Sequence, residues 1–85
     1  MSEICRFRGI VVRMYFDDHP PPHFHAVHGD YSVVVEIATG TVEGRFPAAS
    51  LRDLLRWYHL HIEELRWNWK LVTSAKNPLP IEPLR

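Results

Sequence analysis

The hydrophobic pattern of this chain changes its period once, at Pro47, and that change limits the folds that the chain can adopt. Before Pro47, short apolar runs rich in β-branched and aromatic residues alternate with turn residues, which is typical of β-strands. After Pro47, apolar residues recur every three or four positions, which is typical of one face of a helix. The pattern predicts an α+β fold: an antiparallel β-meander of three to four strands, then two helices and an extended Pro-rich C-terminal tail.

The strands are expected between about residue 8 and residue 46. Three consecutive prolines, Pro20 to Pro22, interrupt this region. Because proline has no N–H to donate and forces the preceding residue into an extended conformation, we expect a rigid, solvent-facing turn there. The expected strands are residues 10–16, 23–27 and 31–37, with residues 41–46 as either a short fourth strand or an arm leading into the helices.

The helical region covers about residues 48–75, and we expect two helices in it, at residues 48–60 and 62–75. One unbroken helix is the alternative, because no Gly or Pro lies near residue 61. Such a helix would be roughly 40 Å long, whereas a strand of seven residues spans about 23 Å, so two helices fit the sheet better. The tail, residues 76–85, contains three prolines, and Ile81 and Leu84 are available to dock on the domain.

Length and composition narrow the class of protein. With 85 residues, we expect a single domain over residues 1–85. Ten basic and ten acidic side chains give a net charge of zero, so there is no general electrostatic reason to expect a nucleic acid as a partner. No apolar run approaches the roughly 18 residues that a membrane span needs. The single cysteine, Cys5, indicates a reducing compartment, and we therefore expect a cytoplasmic protein with no membrane partner.

The segment 17–28 holds two carboxylates and four of the six histidines. In an extended strand His23 and His25 point to the same face with their Cα atoms about 6.5 Å apart, so both imidazoles can reach one metal ion, for which zinc is the natural candidate. A third ligand is required, and Asp17, Asp18, His19 and His61 are the candidates. Two other interpretations stay open: half-buried histidines that bond to carboxylates and carbonyls, and acid–base work by His23 and His25 without a metal.

The tryptophans Trp57, Trp67 and Trp69 are most simply core or rim residues of the helices. Trp67 lies about 160° around the helix from Trp69, so both cannot face the same core, and one of them is a candidate for contact with a partner. Arg52 and Arg56 form an i, i+4 pair of like charge, which is typical of a solvated face and is a weak indication of nucleic-acid contact.

Two strings of residues carry a resemblance to a known family. The first is D-H-x-P-P-H-F-H at residues 18–25, and the second is W-x-x-x-H-x-E-E-L-x-x-N-W at residues 57–69, followed by I-x-P-L at residues 81–84. In these strings the chain resembles the bacterial domain-of-unknown-function family 4160, over nearly its whole length. It departs from the family pattern at His28, Ile62, Arg66 and Trp67. Asn68 also belongs to the second of these strings. We therefore expect four residues to be structural or to form a surface for a partner: Trp57, Trp67, Asn68 and Trp69.

The resemblance also implies a partner. Genes of that family commonly lie beside genes of a second small family of unknown function, numbered 2442, in pairs that resemble toxin–antitoxin modules. We therefore expect a protein-interaction component of such a pair, bound to a small protein encoded by an adjacent gene. The alternatives are a metal-dependent or histidine-based RNA-cleaving toxin, with His23 and His25 as acid and base, and a structural histidine-cluster domain without catalysis. The sequence leaves open whether the protein is an enzyme.

Overall fold

One five-stranded antiparallel sheet followed by two helices makes up the computed structural model, which describes residues 2–85. The strands lie side by side in chain order, each antiparallel to the next. The predicted α+β class is confirmed, with the antiparallel sheet preceding two helices. Among the described residues, no helix has the length and apolar character of a membrane span. The elements are β1 (Ser2–Phe7), β2 (Ile10–Met14), β3 (His23–His28), β4 (Tyr31–Glu36), β5 (Val42–Arg45), α1 (Ala48–Leu60) and α2 (Ile62–Thr73).

The prediction of three to four strands is wrong, because β1 precedes them at the N-terminus. The register of β1 against β2 shifts between Glu3 and Cys5, as at a β-bulge. As a result, the neighbours Ile4 and Cys5 are both buried, while Glu3 and Arg6 are exposed and pair at 2.8 Å. A bulge breaks the period of two that identifies a half-buried strand in a sequence. The strand therefore carries a pattern of buried residues that alternation does not reveal.

The two helices begin where the sequence predicts them, and His61 lies between them. With φ −129° and ψ 26°, His61 departs from helical geometry, and its N–H donates to the Tyr58 carbonyl. The second helix ends at Thr73 rather than at residue 75, and Ala75 adopts a positive φ of 59°. The chain thus turns between α1 and α2 without a glycine or a proline.

The core lies between the helices and one face of the sheet. Phe24 of β3 is fully buried, and its ring packs against Trp57 and Tyr58 of α1 at centroid distances of 5.8 Å and 6.1 Å. Because side chains alternate along a strand, His23 and His25 point away from Phe24. The face of the sheet that carries His25 is more exposed: His25 and Val34 are half-buried. Strand β3 therefore contributes to the core with one set of residues and to a solvent-accessible surface with the other.

The last residues of the chain, 76–85, form no helix or strand but are held by main-chain hydrogen bonds. The side chain of Asn68 donates to the Leu79 carbonyl and accepts from the Leu79 N–H, both at 2.8 Å. The indole N–H of Trp57 donates to the Glu82 carbonyl at 2.8 Å, and the Ile81 N–H donates to the Ile4 carbonyl at 2.9 Å. Ile81 is buried in the core. The C-terminal segment therefore contacts both helices and the outer edge of β1.

Candidate metal-binding site

The segment between β2 and β3 brings an acidic side chain over the start of β3. The Asp18 N–H donates to the Tyr15 carbonyl at 3.4 Å, and one carboxylate oxygen of Asp18 accepts from the His19 N–H at 3.2 Å. The three prolines then return the chain to His23. Because proline restricts its own φ and the conformation of the residue before it, this short segment has few alternative conformations. In the structure this segment holds the Asp18 carboxylate over the start of β3.

A single carboxylate oxygen joins the two histidines of β3. Oδ2 of Asp18 lies 2.8 Å from Nε2 of His23 and 2.8 Å from Nε2 of His25. Only 14% of the Asp18 side chain and 9% of the His23 side chain are exposed, against 28% for His25. These three potential ligand atoms all lie within 4.8 Å of one another. Two imidazoles and one carboxylate therefore converge on a point that is shielded on one side and open on the other.

The remaining ring nitrogen of His23 is bonded as well. Nδ1 of His23 lies 2.7 Å from the Pro21 carbonyl oxygen, which can only accept, so Nδ1 is the donor. The other ring nitrogen, Nε2, faces the Asp18 carboxylate. A metal ion bound at Nε2 would leave the hydrogen bond from Nδ1 to the Pro21 carbonyl intact. A hydrogen bond of this kind, from the second ring nitrogen to a carbonyl, is the usual support of a metal-binding histidine.

The environment of Asp18 favours its ionised form. Burial by itself raises the pKa of the Asp18 carboxyl, but the hydrogen bond from His25, the charge of His23 and the backbone N–H of His19 together lower that pKa below its ordinary value. The carboxylate is therefore negatively charged at neutral pH. An ionised carboxylate between two imidazoles can hold either protons or a metal cation.

Aromatic rings enclose the two histidines. The ring of Tyr15 meets His25 edge-on at a centroid distance of 4.6 Å, and the ring of Trp69 lies 5.1 Å from His23. On the open side the cluster lines a cleft of about 370 Å³, to which β4 contributes Glu36. Register places His23 directly opposite Glu36, so a carboxylate on the neighbouring strand faces the same cleft. A metal ion held by the cluster would therefore be accessible to an external ligand.

The other candidate ligands lie outside the cluster. His19 lines the cleft, but its Nδ1 is 3.1 Å from the Pro20 carbonyl and its ring centroid is 5.9 Å from that of His23. Nδ1 of His61 pairs with Glu64 at 2.6 Å. The structure thus brings His23 and His25 together with Asp18. It does not add His19 or His61 to the group of ligand atoms that lie within 4.8 Å of one another.

The four residues assigned to a structural or partner surface differ in their exposure. Trp57 and Asn68 are buried and bonded to the C-terminal segment. Trp69 is half-buried beside His23, whereas Trp67 is 54% exposed. Trp67 is therefore the one among these four that is mainly available to a partner.

Comparison with known proteins places the chain in a family. No curated protein and no solved structure matches it. A family model described as "Domain of unknown function (DUF4160)" matches residues 9–70, which include the whole Asp18, His23 and His25 cluster. Strand β1 and the C-terminal segment that bonds to it lie outside the matched residues. Because the match covers well over half of the chain, the protein belongs to the DUF4160 family.

Proposed function

We propose that the domain binds one divalent transition-metal ion through Oδ2 of Asp18, Nε2 of His23 and Nε2 of His25. The observation that carries the proposal is the convergence of these three atoms within 4.8 Å. Imidazole and carboxylate ligands suit zinc, and two histidines with one carboxylate also suit iron(II), so zinc is the first metal to test. The hydrogen bond from Nδ1 of His23 to the Pro21 carbonyl supports the ligand geometry.

Three protein ligands leave at least one coordination position for water or another molecule. Structural zinc sites usually have four protein ligands, whereas sites that act on an external ligand keep a position open. The cleft beside the cluster gives access to that position. The proposed function is therefore metal-dependent binding or activation of a molecule in the cleft. A histidine cluster with a purely structural role is the alternative.

The test is a titration of metal-stripped protein with zinc chloride at pH 7.5, in which isothermal titration calorimetry measures the affinity and the stoichiometry. We expect one zinc ion per chain in the wild type and weaker binding at lower pH, because protons compete for the imidazole nitrogens. His25→Ala and Asp18→Asn should lose most of the affinity. His61→Ala is the matched control, since His61 lies outside the cluster and should leave binding unchanged. Absence of zinc binding in the wild type, or equal zinc binding by His25→Ala, would contradict the proposed metal site. The histidine cluster would then have only a structural role.

Tryptophan fluorescence gives a second measurement of the same binding event. Trp69 is in contact with His23, so Cu²⁺ or Ni²⁺ bound to the cluster should quench its emission. Trp69→Phe should remove most of this quenching while it retains metal binding. Quenching that persists in Trp69→Phe would indicate that the ion binds elsewhere.

A second candidate function is that of an interaction component of a toxin–antitoxin-like pair, acting in the cytoplasm. The observation that favours it is the exposure of two apolar side chains, Trp67 at 54% and Leu79 at 56%, which line one cleft on the helical side. Large exposed apolar side chains that lie together are typical of protein-interaction surfaces. Co-expression with the product of the adjacent gene tests this function. If the two proteins do not co-purify and the thermal stability of this chain does not change, the pairing is rejected.

A further inference from the structure

A groove formed by the two helices and the outer edge of β1 holds the C-terminal segment, residues 76–85. Four hydrogen bonds join the main chain of this segment to the groove, and their partners there are Asn68, which bonds twice, Trp57 and Ile4. Ile81 is the one buried side chain of the segment, and most of its other side chains are exposed. The groove therefore recognises an extended main chain and one apolar side chain.

The residue that turns the chain from α2 into this segment has a strained backbone. Ala75 adopts a φ of 59°, and its N–H donates to the Val72 carbonyl in the last turn of the helix. Glycine is the usual residue at such a helix end, because a Cβ atom makes the left-handed conformation costly. If the segment left the groove, residues 74–76 could continue α2 as far as the approach to Pro78. Release of the segment would therefore remove this strain.

The segment also leaves part of the groove unfilled. A cleft of about 310 Å³ lies beside it, lined by Trp67, Glu63 and Glu64 of α2 and by Leu79, Pro80 and Ile81 of the segment. Trp67 is 54% exposed and Leu79 is 56% exposed, so more than half of each side chain remains in water. A segment with a larger apolar side chain in place of Leu79 would fill this cleft and remove more apolar surface from water.

We propose that this groove is a peptide-binding site for a partner protein, whose extended segment takes the place of residues 79–82. The partner segment would carry a branched apolar side chain at the position of Ile81 and an aromatic side chain at the position of Leu79. Main-chain hydrogen bonds would supply affinity that does not depend on sequence, and the two apolar side chains would supply specificity. Such a groove would be the contact surface of the interaction component proposed above, on which this inference rests, and it includes no member of the metal cluster.

Fluorescence anisotropy of labelled ten-residue peptides, titrated with the full chain, tests this binding. One peptide copies residues 76–85, a second carries Leu79→Phe, and a third carries Leu79→Phe together with Ile81→Ser. We expect the Leu79→Phe peptide to bind at least fivefold more tightly than the copy, because its ring buries more apolar surface beside Trp67. The third peptide should not bind, since it lacks the side chain that is buried in the core.

Two substitutions of Ala75 change the availability of the groove without changing the groove itself. Ala75→Gly removes the strain of the closed segment, so the Leu79→Phe peptide should bind about fivefold more weakly than to the wild type. Ala75→Val adds strain, since a β-branched side chain disfavours a positive φ further, and the same peptide should bind more tightly. Arg8→Gly is the matched control: Arg8 also adopts a positive φ, of 48°, but it lies between β1 and β2 and should leave peptide binding unchanged.

Three results would overturn the proposal. If the Leu79→Phe peptide does not bind even to Ala75→Val, the groove does not accept a segment from another molecule. Equal affinities of Ala75→Gly and Ala75→Val for that peptide would show that the peptide binds elsewhere. Wild-type dimers that the Leu79→Phe peptide does not dissociate would assign the groove to the C-terminal segment of a second copy.

The inference and the interaction function on which it rests can fail separately. If the product of the adjacent gene co-purifies with this chain while no peptide binds, the interaction function is retained and only the groove is rejected. If that product does not co-purify while the Leu79→Phe peptide binds as expected, the groove is retained and the pairing with the adjacent gene is rejected.

Discussion

Asn68 and His23 are the two buried polar side chains in the described part of the chain, and they have different partners. The side-chain amide of Asn68 bonds to the N–H and the carbonyl of one residue, Leu79, in the C-terminal segment. His23 bonds to one carbonyl, but its other ring nitrogen bonds to the Asp18 carboxylate, which also accepts from His25. The first arrangement uses only groups that cannot titrate, whereas the second joins three groups that can.

This difference separates a structural polar contact from one in which bound protons can be exchanged for a metal cation. The amide of Asn68 donates one hydrogen bond to the main chain of Leu79 and accepts one from it, and none of these groups exchanges a proton near neutral pH. In the cluster on the open side, protons hold the three groups together, and a cation can take the place of those protons. Burial alone therefore does not mark the site. What marks it is that titratable groups are one another's partners.

The largest effect is expected within β3 itself, where neighbouring residues face opposite sides of the sheet. Phe24→Ala should lower the free energy of unfolding by about 3–5 kcal/mol, because it leaves a cavity beside Trp57 and Tyr58. His25→Ala should cost about 1 kcal/mol, since it removes one hydrogen bond at a partly exposed position. Urea denaturation measures both. Equal losses would contradict the division of β3 into a core side and a site side.

The contact between Asn68 and the C-terminal segment should give the next largest effect. Asn68→Ala leaves the N–H and carbonyl of Leu79 without their partners, and we expect a loss of about 2–3 kcal/mol in the free energy of unfolding. Cleavage by proteases within residues 76–85 should become faster, because the segment loses two of its main-chain hydrogen bonds. Zinc affinity should not change. A variant that lost zinc binding as well would show that the C-terminal segment and the metal cluster are coupled.

Removal of the Asp18 carboxylate should have a smaller effect on stability, but one that depends on pH. At pH 7, Asp18→Asn should lower the free energy of unfolding by about 2 kcal/mol, because hydrogen bonds to a charged group are lost. The pKa of Asp18 is lowered in the folded state, so its contribution is complete above its unfolded-state pKa of about 4 and is lost as the pH falls through the folded-state value.

The stability difference between the wild type and Asp18→Asn should therefore shrink as the pH falls below about 4. Denaturation curves at several pH values measure it. Asp17→Asn is the matched control, since Asp17 is exposed and outside the cluster. A difference that grew at low pH would contradict the assignment of Asp18 as an ionised acceptor.

The fold could be predicted from the sequence where its physical pattern is periodic. The change of period at Pro47 predicted the sheet and the helices, and the length argument predicted the break near residue 61. Strand β1 was missed because a bulge puts Ile4 and Cys5 on the buried side in succession. A search for alternating buried and exposed residues cannot detect such a strand. Only its pairing with β2 in the structure shows that these residues form one.

The site could be predicted only in part. The position of its third member, Asp18, depends on the conformation of the turn before β3 and not on the alternation of side chains along a strand. Same-face spacing identified His23 and His25, since alternation along a strand is a local property. Among Asp17, Asp18, His19 and His61, the sequence provides no geometric reason to choose. The conformation of the proline segment selects Asp18, and pairing with Glu64 occupies Nδ1 of His61. A possible signal was the i, i+3 spacing of His61 and Glu64, which favours that pair on a helix.

The smallest effect on stability is expected at Trp67. Its side chain is 54% exposed, in contrast to the fully buried Trp57 on the first helix. Trp67→Ser should lower the free energy of unfolding by only about 1 kcal/mol, because just over half of the side chain stays exposed to water in the folded state. Urea denaturation of the two variants Trp67→Ser and Trp57→Ser measures the contrast.

If a partner covers the helical side, Trp67→Ser should weaken binding of that partner at least tenfold while zinc affinity stays the same, since a large aromatic side chain in an interface often contributes more than 1 kcal/mol. A loss of stability comparable to that of Trp57→Ser would instead show that Trp67 belongs to the core, and the interaction surface would then have to lie elsewhere on the molecule.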